Sequence, residues 1–269
     1  LCWSWPLAQA QQPPLRIVSL SLCTDELVLM LADRERIASV SYLAANTDYS
    51  RVSHLAAGLP LNRARAEEII ALEADLILTS QFSAGSTVSL LERLGHQVHS
   101  IDLPRSLNEN EQVIREVARL LGQSRRGEIL IKEIQDTIAR ASQEISEARV
   151  SATGLFYTRN GFSYGAGTFR DFFLTSIGWR NLASDAGLTG PVQISLETVL
   201  SGQPDYLLLN SMDSANENLA HHMLRHPALQ KVVSADNMLV LSERFFQCPG
   251  SGIADAYTAM AAQLTRQER

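Results

Sequence analysis

One twelve-residue pattern occurs twice, and it constrains the fold more than any other feature of the chain. Residues 67–78 read EEIIALEADLIL and residues 197–208 read ETVLSGQPDYLL. Each begins with a glutamate, Glu67 or Glu197, on a short apolar helical turn. Each has an aspartate eight positions later, Asp75 or Asp205, at the head of an apolar strand. The two copies lie 130 residues apart (197 − 67), about half of the 269-residue chain. Each half is therefore expected to contain the same helix-into-strand unit.

The surrounding pattern supports two α/β halves. Short β-prone runs at 16–20, 37–41, 76–79 and 98–101 alternate with helical patterns at 23–32 and 87–94, the second stopped by Gly95. Thr24 or Asp25 is placed to cap the first helix. Strand–helix alternation in such short units predicts a parallel sheet covered on both faces. From 107 to 148 the strands disappear. Val113, Val117, Leu120 and Leu121 form one helical face before Gly122, and Ile131, Ile134, Ile138, Ala141 and Ile145 continue at helical spacing over 124–148. A helix of that length spans roughly 40 Å, and we read it as a rod joining two lobes.

A second series follows: a strand at 153–157, a loop with Gly161, Gly165 and Gly167, and a helix at 169–177. Then come the second copy of the pattern with a strand at 206–210, helices near 219–224 and 228–233, a strand at 238–241 and a closing helix at 253–266. The expected organisation is a leader over 1–14, a first lobe over 15–121, a linking helix over 122–149 and a second lobe over 150–269. The fold class is α/β, with two small Rossmann-like lobes, each with a parallel sheet, bridged by a single long helix.

The net charge of −6 argues against nucleic acid as a partner, because binding phosphates needs a basic surface. Apolar residues followed by Ala8 and Ala10 fit the end of an export signal and its A-x-A cleavage site. No later stretch has the roughly 20 apolar residues that span a bilayer. The expected product is exported and soluble. Beyond Cys2, the cysteines are Cys23 and Cys248, in opposite halves. Their sequence context leaves three readings open: thiol ligands, a lobe-crossing disulfide, or two inert buried thiols.

Two motifs offer other functions. Gly161-Phe162-Ser163-Tyr164-Gly165 matches G-x-S-x-G, the nucleophile elbow of serine hydrolases, and Asp205 and His226 would complete the Ser, Asp, His order. Against it, Gly167 and Thr168 lengthen the loop before the helix. His221, His222 and His226 admit a zinc- or manganese-binding receptor, although no nearby Cys or carboxylate completes a ligand set. The sequence contains no phosphate-binding glycine loop, no H-E-x-x-H and no Cys-x-x-Cys, so no catalytic residue, metal site or cofactor is assigned.

The order of the motifs resembles a known family. RIVSLS at 16–21 with Thr24-Asp25-Glu26-Leu27, then IASVSY at 37–42, residues 67–78, Leu91, Leu94, Gly95 and Val98, the long helix, and residues 197–208 follow the periplasmic substrate-binding proteins for cobalamin and ferric-siderophore uptake. The resemblance covers essentially the whole chain after the leader and is nearest to the cobalamin branch. It implies a monomeric, non-catalytic periplasmic receptor holding a metal chelate between two lobes: a corrinoid or ferric siderophore, ahead of haem. It also implies delivery to the permease dimer of an ATP-driven importer, with Glu67 and Glu197 each meeting a permease arginine. The implied cleft contacts are Cys23, Thr24, Tyr42, Tyr49, Ser80, Phe82, Tyr164, Phe245, Phe246 and Cys248. The chain departs from the cobalamin branch at Leu59-Pro60-Leu61-Asn62, where that branch has a tryptophan. It departs again at Ser242 or Glu243, where the branch has an aspartate.

Overall fold

The computed structural model describes residues 16–81, 83–148, 151–158, 161–211, 227–248, 250 and 252–267. In the first half, β1 (Ile17–Ser19), α1 (Leu22–Leu31), β2 (Ile37–Ser41), β3 (Leu61–Asn62), α2 (Ala66–Ile70), β4 (Leu76–Ser80), α3 (Gly85–Arg93) and β5 (Val98–Ile101) build a sheet ordered β3-β2-β1-β4-β5. Every pairing in it is parallel. The helices α4 (Leu107–Leu120) and α5 (Ser124–Ala148) follow. Successive strand residues face opposite sides of a sheet. Ile17, Leu76 and Leu78 accordingly enter the main core with α1 and α4, while Val18 and Ile77 pack with Ile69 of α2 and Leu91 of α3.

The second half repeats the scheme. It consists of β6 (Thr153–Phe156), β7 (Phe162–Tyr164), α6 (Phe169–Ser176), β8 (Arg180–Asn181), α7 (Leu182–Asp185), β9 (Pro191–Gln193), α8 (Leu196–Gly202), β10 (Tyr206–Ser211), α9 (Pro227–Gln230), β11 (Met238–Ser242) and a C-terminal helix, Gly252–Gln267. Its main sheet is parallel, ordered β11-β10-β6-β8. A separate antiparallel pair joins β7 to β9, so part of the expected glycine-rich loop is a strand. The helix expected near 219–224 lies outside the described residues, as do the leader residues 1–14.

The repeated pattern has a structural cause. Asp75 Oδ2 accepts the Arg16 backbone N–H at 2.9 Å, just ahead of β1, and Asp205 Oδ2 accepts the Thr153 N–H at 2.7 Å, at the start of β6. In each half one aspartate ties the entry of a central strand to its neighbour, with a charge-assisted bond. The turns match as well: Glu73 and Gln203, also 130 residues apart, both take left-handed backbone (φ +46° and +44°). Such a conformation is uncommon for a residue with a Cβ.

Helix α5 joins the halves. Its Ile131, Ile134, Ile138, Ala141 and Ile145 are buried in one cluster with Val113 and Val117 of α4, with Tyr257, Met260 and Leu264 of the C-terminal helix, and with core residues of both sheets. The apolar stripe is continuous along the rod, so the two lobes share a core at its surface. One expectation fails at α1. Thr24 and Asp25 lie inside the helix and are fully buried, and the N-cap residue is Ser21, without a side-chain cap. Thr24 Oγ1 instead lies 2.7 Å from Ser19 Oγ and 2.9 Å from Ser21 Oγ.

Candidate ligand-binding cleft

A cleft of about 760 Å³ opens between the halves. One wall comes from the first half: Gln81 after β4, Asp102 to Arg105 after β5, and Glu109, Gln112, Val113 and Glu116 of α4. The opposite wall comes from Tyr164 of β7, Gly167 and Thr168, Phe169 and Arg170 at the start of α6, and Pro191. Phe246, Gln247 and Cys248, between β11 and the C-terminal helix, form the floor. Loops following the parallel strands β4, β5 and β11 supply Gln81, residues 102–105 and residues 246–248, in the position expected for ligand sites in open α/β sheets.

Arg170 is the central polar group. Thr168 caps α6 by accepting the Asp171 N–H at 3.2 Å, which fixes where the first turn begins and directs Arg170 inward. The residue is 7 % exposed, its guanidinium lies 3.8 Å from the Tyr164 ring centre and 5.0 Å from that of Phe246, and Nη2 donates to Glu243 Oε1 at 2.5 Å. A buried guanidinium needs both charge pairing and packing, and here it has both. Its Nε finds no acceptor among the described residues. Burial pushes the Tyr164 phenol up from its usual range, and the charge of Arg170 partly opposes that rise. Phe246 is set edge-on against Phe156 and Phe173, at 5.2 and 5.4 Å between ring centres. The result is an aromatic and cationic surface suited to a large, partly apolar ligand.

Of the expected contacts, Tyr164, Phe246 and Cys248 line this cleft. Cys23 and Cys248 form a disulfide with Cα atoms 4.7 Å apart, which decides among the three readings of the cysteine pair. Thr24 is fully buried and Ser80 is 4 % exposed, and neither is in the lining; the Ser80 hydroxyl meets that of Ser83 at 3.1 Å. Tyr42 is 45 % exposed under the guanidinium of Arg63, at 4.9 Å, and is not in the lining. Tyr49 and Phe245 are half-buried and likewise outside it. Phe82 lies outside the described residues. Glu67 and Glu197 are exposed in the first turns of α2 and α8.

The other motifs fare differently. Ser163 sits within β7, its hydroxyl wholly buried, and not on an exposed strand-to-helix turn. Asp205 is engaged at the start of β6. The three histidines of the metal reading lie outside the described residues, and among those described no three His, Cys, Asp or Glu side chains gather as a metal site. Sequence reasoning missed Arg170 and the whole wall built by α4. A cationic residue set among Phe169, Phe172 and Phe173 was the available signal for the former.

Two α/β lobes, a bridging helix and a cleft between them define the architecture of a two-lobed solute-binding protein. The chain belongs to the periplasmic binding protein family, whose model matches residues 17–239. No curated protein gives a sequence match. Solved structures are similar over nearly the full length. A periplasmic heme-binding protein, RhuT from Roseiflexus sp. RS-1 in apo form, is 25 % identical with a TM-score of 0.74, covering 93 % of this chain and 98 % of its own. A possible iron-binding periplasmic solute-binding protein from Staphylococcus epidermidis is 18 % identical with a TM-score of 0.79, covering 94 % and 99 %. The periplasmic vitamin B12 binding protein BtuF of Vibrio cholerae is 18 % identical with a TM-score of 0.71, covering 96 % and 99 %.

Proposed function

We propose that this protein is the periplasmic solute-binding component of an ATP-driven importer, capturing a metal chelate in the inter-lobe cleft and delivering it to a permease dimer. The chelate class comprises corrinoids, ferric siderophores and haem. The observation that carries the reading is the cleft itself: about 760 Å³, with walls from both lobes and the Tyr164–Arg170–Phe246 surface on one side. That volume is within the usual range for small-molecule sites, where an apolar surface supplies affinity and a few polar groups set orientation. The printed names of similar structures, a heme-binding protein and a vitamin B12 binding protein among them, support the same class.

Glu67 and Glu197 serve this function as docking residues, one on each lobe. Neither carboxylate has an ion-pair partner among the described residues, whereas neighbouring Glu68 accepts the Arg63 N–H at 2.8 Å. Exposed, unpaired carboxylates steer and align a cationic partner surface.

The test is titration of the purified protein with hydroxocobalamin, a ferric trihydroxamate and haemin, followed by optical spectroscopy. At least one is expected to bind at micromolar concentration or below, and Phe246→Ala to weaken that binding at least tenfold. Failure of all three to bind removes the proposal.

A further inference from the structure

Four links from the first lobe converge on one short stretch of the second half, residues 244–255. Cys248 is bonded to Cys23 in the first turn of α1. Gly250 exchanges two hydrogen bonds with Asn110 of α4: its N–H donates to Oδ1 at 2.7 Å, and its carbonyl accepts from Nδ2 at 3.2 Å. Arg244 Nη1 donates to the Thr47 carbonyl at 2.8 Å, and Arg51 Nε donates to Asp255 Oδ2 at 2.7 Å. The same stretch is anchored to its own lobe through the Phe246 ring and through adjacent Glu243, which pairs with Arg170. It is a strap tied on both sides, and its middle is the cleft floor, Phe246 to Cys248.

Two details set the strap apart from ordinary lobe packing. Asn110 is 1 % exposed on the face of α4 that otherwise carries Val113, Ile114 and Val117. A polar side chain in that stripe costs stability unless its bonds are made, and both of the bonds shown go to Gly250. Gln247 lines the cleft, and its Oε1 is buried with no donor among the described residues.

We infer that the Cys23–Cys248 cystine and Asn110 are positioning residues that hold Phe246 and Gln247 in the cleft floor, and that the cystine is a thiol-addressable latch on cargo retention. Its opening needs a dithiol reductant. One thiolate of the reductant attacks a sulfur of the cystine to give a mixed disulfide, releasing the other cysteine as a thiol. The second thiolate then resolves that intermediate. Two electrons and two protons pass to Cys23 and Cys248, and the reductant is left as a disulfide. Cys248 faces the cleft while Cys23 is 8 % exposed, so attack comes from the cleft side. Only the retention part rests on the cleft being the cargo site.

The test is amide hydrogen exchange on the full protein, oxidised and after reduction with dithiothreitol, alongside Asn110→Ala and a Cys23→Ser/Cys248→Ser variant. Exchange at 243–248 and in the first turn of α1 is expected to rise at least tenfold in every loosened form, while β4, β6 and β10 keep their protection. Unchanged exchange overturns the strap. A uniform rise over all strands also overturns it, since the bond would then serve global stability. In a second arm, hydroxocobalamin, a ferric trihydroxamate and haemin are titrated into oxidised and reduced protein. The probe that binds is expected to weaken at least tenfold on reduction, and equal affinity in a locally loosened protein overturns the latch. If no probe binds the oxidised form, the proposed function fails, and exchange alone decides the strap.

Discussion

The carboxyl group of Asp25 is held against Ser41 inside the first lobe: Oδ1 accepts the Ser41 backbone N–H at 3.0 Å, and Oδ2 lies 2.5 Å from Ser41 Oγ. Burial dominates its chemistry and pushes its pKa from 3.8 up to about 7, against the opposing effect of hydrogen bonds from Ser19 and Ser41. Neighbouring Glu26, also buried, is raised for the same first cause. A raised carboxyl pKa means that the folded state holds a proton the unfolded chain has released. The contribution is fully present below pH 3.8 and is lost as pH rises through about 7.

Asp25→Asn keeps the shape without the titration. Relative to the parent, the variant is expected to gain stability between pH 4.5 and pH 7.5. The bound is about 4 kcal/mol, from roughly three pKa units at about 1.4 kcal/mol each. Urea unfolding of both proteins at the two pH values measures this. A stability difference that stays constant, or moves the other way, refutes the assignment.

Arg170 and Glu243 set up a second prediction. Removing one member of a buried pair leaves an uncompensated charge, whereas replacing both members by apolar residues does not. Glu243→Gln is therefore expected to destabilise the protein by about 3 kcal/mol, and the double change Arg170→Leu/Glu243→Leu by clearly less. The double variant should nonetheless bind cargo more weakly, because it strips the polar group from the Tyr164 face. Equal stability losses in denaturant titrations would show that the charge pairing is not the controlling term.

Glu67 and Glu197 lie on opposite lobes, so their effects on docking should be independent of the cleft. Reversing both to lysine is expected to lower uptake in a reconstituted importer at least tenfold and to leave cargo affinity unchanged. Uptake at the parent rate would remove the docking role from both residues.

Much of the framework was legible because it follows from periodicity. The five-residue stripe from Ile131 to Ile145 marked helix α5 at 124–148, and the two copies of the glutamate–aspartate unit located matching turns in both lobes. The cleft chemistry was harder to read. Arg170 occupies a helix whose pattern resembles an ordinary amphipathic surface, and its burial depends on Glu243, 73 positions away. Such a pairing leaves no local trace. The disulfide was equally opaque, since a separation of 225 residues says nothing about Cα distance. The short pair β7–β9 was hidden by its glycines, which signal turns before strands. Gly165 is required there: a Cβ would stand 2.2 Å from the Leu188 carbonyl oxygen.

Gly127 carries the last prediction. Glycine inside a helix ordinarily costs about 1 kcal/mol relative to alanine, so a glycine in the first turns of α5 looks like a site for easy stabilisation. The packing reverses that expectation. A Cβ at Gly127 would lie 2.6 Å from the Ala118 Cβ of α4, below any real contact distance. The close approach lets α4 and α5 pack side by side, with Arg115 of α4 and Glu128 of α5 joined at 2.9 Å beside it. Gly127→Ala is expected to lose about 1 kcal/mol net, the overpacking cost of about 1–3 kcal/mol exceeding the helix gain. Gly127→Leu should lose more and displace α4, whose Val113 and Glu116 line the cleft. Weakened cargo binding should accompany the leucine change. Denaturation midpoints at constant slope measure the stability terms, and a Gly127→Ala variant more stable than the parent would show that the two helices separate at no cost.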